Sequence, residues 1–270
     1  MSKPPSPRSL AAKAEVLAAL DGDPDPAKLQ AALTALARWR AELMHNTVTT
    51  QDGAIVQAGP FAGMHYITDA ASAPHVPRLL GCHDAALHPV LEAILAEAPP
   101  LVMDIGCGNG FFATGFAMRL PRSTIWARDK DETARAATAA LAEANKVAGR
   151  VKIGGALTHA DFDICRAQHT LIRCDIGAAT SALLDPDRAK GLRRADLLVS
   201  FSALAHPTLG DTLAERFADT HLSQVIMPAQ AGARLPAWMS GLSDLDQLIA
   251  QCEWHDGPTP YVWLTRKNRD

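Results

Sequence analysis

The feature that most constrains the fold of this 270-residue chain is a short apolar run that leads directly into a glycine-rich turn. Residues 101–103 form the run, which is typical of a parallel strand covered on both faces, and we predict this strand at 101–105. The turn at 106–110 reads Gly-Cys-Gly-Asn-Gly, and its glycines allow the backbone to approach a ligand closely. Residues 111–120 predict a helix that begins at the turn, so its positive end would face that ligand.

A second strand, a helix and a third strand are predicted after the turn. The strand at 124–129 ends in Asp129, which lies nineteen residues past Gly110. An acid at about this distance can accept hydrogen bonds from the hydroxyls of a ribose. With a third strand at 151–155, the pattern predicts half of a doubly wound sheet.

Four further apolar runs extend this pattern to an α/β fold with a Rossmann-like sheet. They predict strands at 171–175, 195–200, 222–227 and 260–265. Seven strands with helices between them suit a mixed sheet whose last strand runs antiparallel. We expect a disordered tail at 1–8, a helical and hairpin segment at 9–98, and the ligand-binding domain at 99–270.

The N-terminal segment is predicted to hold two helices, a small hairpin and a third helix. The second helix begins at Pro26, is capped by Asp25, and has Leu29, Leu33, Leu36, Arg40 and Leu43 on one side. Residues 46–67 predict the hairpin and its loop. The first two helices either fill space against the core or form a lid over the ligand, and both interpretations remain open.

Composition excludes several classes of partner and site. The chain has 26 basic and 29 acidic residues, a net charge of −3, which argues against nucleic acid and against an anionic membrane surface. We expect a small-molecule partner, a cytoplasmic location and, as one possibility, a homodimer, since neither a signal peptide nor a membrane span is evident. The five cysteines include no Cys-x-x-Cys pair, so we expect reduced thiols and no metal site.

The residues around the turn distinguish a nucleoside from a dinucleotide. A pyrophosphate site needs a later third glycine, whereas this chain has the compact Asp104-Ile-Gly-Cys-Gly-Asn-Gly110. Asp104 would repel a phosphate but could accept hydrogen bonds from an ammonium group. The pattern resembles motif I of class I S-adenosylmethionine-dependent methyltransferases, whose cofactor has no phosphate.

This resemblance implies that S-adenosylmethionine is the cofactor or cosubstrate and that turn and strand-end residues bind it. The implied residues are Asp104, Gly106, Cys107, Gly108, Asn109, Gly110, Asp129, Lys130, Ala156, Leu157 and Asp175. Leu157 is expected near the adenine by its place after the third strand.

Longer stretches resemble FkbM-like bacterial methyltransferases. They are Gly59-Pro-Phe-Ala-Gly-Met64, Leu79-Leu-Gly81, Leu87-His-Pro89, Asp175-Ile-Gly177, Leu183-Leu-Asp-Pro186 and Arg216-Phe-Ala-Asp-Thr-His221. The resemblance implies the methyltransferase fold and S-adenosylmethionine binding but not the chemistry, and action on a small molecule in secondary metabolism is our own hypothesis. The chain departs from those relatives at 175–180 and 200–203, where several of their carboxylates are missing.

Those missing acids leave few candidates for a catalytic base. The ends of the predicted strands offer Asp175, Ser200, Ser202 and His206, and the upstream segment offers Tyr66, His83, Asp84 and His88. Of these, Asp175, Ser200, Ser202, Tyr66 and His83 are our catalytic candidates. His221 is expected to be structural.

Three functions are compatible with this sequence. The first is methylation of a small molecule. The second is cyclisation of S-adenosylmethionine, in which its own amine attacks the γ-carbon to give azetidine-2-carboxylate and methylthioadenosine; the loss of acids would favour the neutral amine. Azetidine-2-carboxylate synthases are methyltransferase-like, and the chain resembles such a protein. The third is cofactor binding without catalysis.

Overall fold

The computed structural model of the chain describes residues 6–23, 25–67, 75–229 and 235–268. The chain divides into two compact units. The first comprises Met1–Ile55, Thr68–His83 and Gly232–Trp254, and the second comprises Val56–Ile67, Asp84–Ala231 and His255–Asp270. Residues 56–67 and 84–98, expected in an N-terminal segment, thus group with the sheet. Residues 1–5 of the expected disordered tail at 1–8 lie outside the described residues, but the prediction was wrong for residues 7 and 8, which begin the helix Pro7–Ala19.

The chain alternates helices with short strands. The helices are α1 (Pro7–Ala19), α2 (Pro26–Asp52), α3 (His75–Leu80), α4 (His88–Glu97), α5 (Phe111–Arg119), α6 (Glu132–Ala144), α7 (Thr180–Leu183), α8 (Leu209–Phe217) and α9 (Asp244–Ala250). The strands are β1 (Leu101–Ile105), β2 (Thr124–Arg128), β3 (Val151–Gly154), β4 (Thr170–Cys174), β5 (Ala195–Ser200), β6 (His221–Ile226) and β7 (Tyr261–Arg266).

All seven strands form one sheet in the order β3-β2-β1-β4-β5-β7-β6. Strands β1 to β5 pair in parallel, and β7 runs antiparallel to both β5 and β6. The predicted α/β fold with a Rossmann-like, seven-stranded mixed sheet is confirmed. The first and last residues of each strand lie within one residue of their predicted positions. This agreement arises because each run of apolar residues is short and ends at polar or turn residues.

The two faces of the sheet differ in chemistry. One face carries Met103, Ile172, Leu197 and Val262, which belong to a fully buried apolar cluster with residues of α8. Side chains of successive residues point to opposite faces, so Asp104 and Arg173, which are register partners, lie together on the other face. The carboxyl ends of β1 and β4 therefore bring two charged residues side by side.

In the first unit α2 begins as predicted but is longer. The Asp25 carboxylate accepts hydrogen bonds from the N–H groups of Ala27 and Lys28, which confirms the cap. The helix continues to Asp52, so the hairpin prediction was wrong for residues 46–52. Val48 is fully buried there, and this packing outweighs the weak helix propensity of its β-branched neighbours.

The leucine stripe of α2 does not face the core. Leu29, Leu33 and Leu36 are 55, 58 and 47% exposed, and the buried residues in this half of the helix are Ala32 and Ala35 instead. The first half of α2 thus packs through small residues, whereas Met44, His45 and Val48 are buried in its second half.

Residues 75–97 are the one stretch of the described chain long and apolar enough, by length and composition, to cross a membrane. The structure divides this stretch into α3 and α4, with a turn at Gly81–Asp84 between them. A lipid-spanning segment would need continuous backbone hydrogen bonding.

His221 has the structural role expected of it. Its ring is buried at the start of β6, and Nε2 lies 2.7 Å from the carbonyl oxygen of Ala195. Nearby, at the amino end of β5, Asp196 accepts hydrogen bonds from the backbone and side chain of Arg266. Burial alone would raise the pKa of Asp196, but His169 and Arg266 lower it to about 2. This carboxylate is thus fully engaged in structure.

Candidate functional site

The glycine turn between β1 and α5 has a backbone that only glycine adopts easily. Gly106, Gly108 and Gly110 have φ values of +77°, +54° and +83°. A Cβ atom on Gly106 would lie 2.0 Å from the carbonyl oxygen of Asp175, whereas one on Gly108 would meet nothing within 4 Å. The first glycine is thus required by close packing, and the second leaves open space beside the turn.

Asp129 lies next to this turn, as predicted from its spacing. Its Oδ2 accepts a hydrogen bond of 3.0 Å from the N–H of Gly108, and its Oδ1 accepts one of 3.0 Å from the N–H of Asp131. The carboxylate is therefore held in place, half-buried, at the carboxyl end of β2. Lys130, the next residue, is exposed.

The segment before the sheet contributes a buried aromatic residue to the turn. The Tyr66 hydroxyl accepts a hydrogen bond of 2.7 Å from the Asn109 side-chain amide. The Tyr66 ring also meets the Phe111 ring edge-on at 5.4 Å between centroids. Two residues predicted for different roles, Tyr66 as catalytic and Asn109 as cofactor-binding, are thus in direct contact.

Cys107 is packed beneath the turn. Its Sγ lies 3.5 Å from the Thr138 hydroxyl, which in turn donates to the carbonyl oxygen of Gly108. Burial, with a contribution from Asp104, raises the pKa of this thiol to about 12. The side chain is therefore a neutral thiol at physiological pH and contributes shape to the site.

Asp104 is fully buried and is paired with Arg173, a residue that the sequence analysis did not consider. Arg173 Nη1 donates to Asp104 Oδ1 at 2.9 Å and to the carbonyl oxygen of Gly106 at 3.3 Å. Its Nη2 donates to Asp175 Oδ2 at 3.1 Å. One guanidinium thus bridges two predicted site residues and the glycine turn.

Burial and charge act in opposite directions in this cluster. Burial opposes the charge of Arg173, but the carboxylates of Asp104 and Asp175 outweigh it and raise its pKa well above the ordinary value. Burial raises the pKa of Asp104, and the neighbouring guanidinium limits that rise. The arginine is consequently a fixed positive charge beneath the turn.

Tyr261 and Asp84 form a second polar pair in the same unit; Asp84 was among the candidate bases, whereas Tyr261 was not predicted from the sequence. The Tyr261 hydroxyl donates to Asp84 Oδ2 at 2.9 Å. Burial, followed by the charge of Asp84, raises the pKa of Tyr261 well above its ordinary value. Asp84 has a left-handed backbone (φ 51°), which non-glycine residues seldom adopt. Tyr261 is paired with Ser200 across β5 and β7, and this antiparallel register has no local signal in the sequence.

The other predicted residues occupy varied environments. Ser200 is buried at the end of β5, whereas the Ser202 hydroxyl caps a turn by accepting from the N–H of Ala205. After β3, Ala156 is exposed and Leu157 packs against the apolar cluster. His83 belongs to the first unit, where its Nδ1 lies 3.7 Å from the carboxylate of Glu253.

No family model matches the chain, and no curated protein matches it. Several solved structures resemble it. One is the ribosomal protein L11 methylase of Lactobacillus delbrueckii subsp. bulgaricus, which is 17% identical in sequence. The match covers 66% of this chain and 77% of that chain, with a TM-score of 0.41. Another is the precorrin-6y C5,15-methyltransferase of Geobacter metallireducens, which is 11% identical. The match covers 66% of this chain and 88% of that chain, with a TM-score of 0.42. A third is the B. subtilis m1A22 tRNA methyltransferase TrmK, which is 9% identical. The match covers 66% of this chain and 64% of that chain, with a TM-score of 0.39.

Proposed function

We propose that this protein is an S-adenosylmethionine-dependent methyltransferase that acts on a small molecule. The observation that carries the proposal is the joint placement of a left-handed glycine turn and Asp129 at adjoining strand ends. Strand ends of this kind are where open α/β sheets bind nucleosides. Asp104 and Asp175 beside the turn outnumber the single guanidinium of Arg173 that they share, and the remaining negative charge favours a ligand without phosphate.

The residues present fit this cofactor chemically. Asp129 is positioned to accept hydrogen bonds from ribose hydroxyls, and Gly108 leaves open space on the turn. When bound, the cofactor would supply an electrophilic methyl group on its sulfonium. The chain must then orient an acceptor in line with the methyl–sulfur bond and remove its proton. Asp175, exposed at the end of β4, is our preferred candidate for the group that accepts that proton.

The composition of the chain supports a small-molecule acceptor. A net charge of −3 provides no basic field for nucleic acid, so we propose a small-molecule acceptor and a cytoplasmic enzyme. A role in secondary metabolism is part of the same proposal.

Replacement of Asp129 tests the cofactor site. We expect Asp129→Ala to weaken S-adenosylmethionine binding by about 1–3 kcal/mol, because a carboxylate that accepts ribose hydrogen bonds is lost. Isothermal titration calorimetry on wild type and variant measures this change. Asp187→Ala, which removes an exposed carboxylate paired with Arg193, is the matched control and should bind normally. Equal affinity of wild type and Asp129→Ala would contradict the proposed site.

A second candidate function is cyclisation of the cofactor, and the Arg173–Asp104 pair favours it. A carboxylate shared with a guanidinium stabilises a ligand ammonium less than a free carboxylate does. The neutral amine could then attack the γ-carbon: the new N–C bond forms, the C–S bond breaks with its electron pair on sulfur, and nitrogen loses a proton. The products are azetidine-2-carboxylate and methylthioadenosine.

One assay separates the two reactions and simple binding. Purified protein is incubated with S-adenosylmethionine alone and then with pools of small-molecule acceptors, and the products are identified by mass spectrometry. We expect S-adenosylhomocysteine only when an acceptor is present. Methylthioadenosine with a four-membered imino acid in the absence of acceptor would establish cyclisation instead. Binding without either product would identify a non-catalytic protein.

A further inference from the structure

Arg173 occupies the centre of the polar cluster under the glycine turn. Its side chain is 6% exposed, although it reaches Asp104, Asp175 and the backbone of Gly106. Its guanidinium carbon also lies 4.2 Å from the centre of the Phe112 ring. The aromatic face and three oxygen partners hold the guanidinium in one position.

The order of the strands places Arg173 at one end of the candidate nucleoside site. Strand β1 has β2 on one side and β4 on the other. Asp129 follows β2, and Arg173 and Asp175 lie at the end of β4. A ligand that lies across β1 with its ribose at Asp129 therefore extends its other end over β4. In S-adenosylmethionine that end is the α-amino acid group.

Two buried atoms of the cluster have unused hydrogen-bonding capacity. Asp104 Oδ2 and Arg173 Nε are buried and have no hydrogen-bond partner of good geometry among the residues that the structure describes, although the Ala113 N–H lies close enough to lower the pKa of the Asp104 carboxyl. Buried polar atoms in native proteins nearly always have partners, so this acceptor and donor leave hydrogen-bonding capacity that a ligand or its water can use. The acceptor and the donor also complement a zwitterion, which carries one cation and one anion.

We propose that Arg173 is a positioning residue for the amino acid end of the bound nucleoside, an inference that rests on the proposed function. Arg173 acts through Asp104, Gly106 and Asp175, which it holds together. It therefore governs how tightly the site binds the amino acid group and has no direct effect on adenosine. The sequence alone assigned this part of the site to Asp104 without a partner.

The test compares two ligands that differ in this group. S-adenosylmethionine contains the α-amino acid, whereas 5′-methylthioadenosine lacks it. Calorimetry at pH 7.5 on folded Arg173→Met should show at least a tenfold loss of affinity for S-adenosylmethionine and less than a threefold loss for methylthioadenosine. Arg173→Lys, which keeps the charge, should recover part of the loss. If Arg173→Met fails to fold, Arg173→Lys and Asp104→Asn/Arg173→Met are compared in the same way.

Arg266→Met is the matched control. It breaks another arginine–aspartate pair, that of Arg266 with Asp196, which lies at the amino end of β5 and therefore at the opposite edge of the parallel strands from the glycine turn. It should lower stability without altering either affinity of the folded protein. Equal losses for both ligands in Arg173→Met, or no loss for either, would show that Arg173 is merely structural and would overturn the inference. A wild-type protein that binds neither ligand would instead refute the proposed function.

Discussion

Arg173→Met is expected to lower the free energy of unfolding by about 3–5 kcal/mol at pH 8, because it leaves the buried Asp104 carboxylate without its cation. The loss should depend on pH. Without the guanidinium, the pKa of Asp104 in the folded protein rises further above its value of about 3.9 in the unfolded chain. The variant is therefore least impaired near pH 4 and loses stability as the pH rises through that elevated pKa.

Urea unfolding of wild type and Arg173→Met at pH 5 and pH 8 measures this difference. The other titratable groups that face Asp104 are Asp175 and the thiols of Cys107 and Cys174. Both thiols have a pKa of about 12 and stay neutral over this range. Asp104→Asn/Arg173→Met removes both charges and should recover most of the loss, with a smaller pH dependence relative to wild type than Arg173→Met shows. A loss of equal size at both pH values would mean that Asp104 is not the group left uncompensated.

Gly106→Ala is expected to abolish binding of S-adenosylmethionine and to lower the free energy of unfolding by about 2–5 kcal/mol. Two costs combine in this substitution. The new Cβ would lie 2.0 Å from the Asp175 carbonyl oxygen, and alanine would have to adopt a φ of +77°. Since the obstructing atom belongs to the backbone, relief requires that β1 and the segment after β4 move apart.

Gly108→Ala is the matched control within the same turn. It also has a positive φ, of +54°, but its Cβ would meet nothing within 4 Å. We expect a loss of about 1–2 kcal/mol from backbone strain alone. Thermal unfolding and calorimetry on the two variants compare both effects. Equal destabilisation by the two substitutions would show that the close contact with Asp175 can relax at little cost.

The residues that were predicted correctly have local signals. The seven strands follow from short apolar runs, the start of α2 follows from Asp25, and the place of Asp129 follows from its distance to the glycine turn. Each of these signals lies within a few residues of the feature it specifies, because hydrogen-bonded strands, caps and turns are local structures.

The C-terminal part of α2 shows where prediction from local sequence fails. Thr47, Thr49 and Thr50 have poor helix propensity and suggested a hairpin, yet their hydroxyls bond to carbonyl oxygens of the preceding turn within a helix. Burial of Val48 against other parts of the chain decides the outcome. A weak local preference is easily overridden by such packing.

The sequence by itself therefore determined the α/β architecture, the glycine turn and the position of Asp129 beside that turn. Only the tertiary structure decided the charge of the site, because that charge depends on residues far apart in the chain. Asp104 and Arg173 are separated by 69 residues and meet only through the parallel register of β1 and β4. Asp84 and Tyr261, 177 residues apart, likewise meet only in the folded chain. An ion pair or hydrogen bond of this kind acts over a few ångströms, and no spacing along the sequence encodes it.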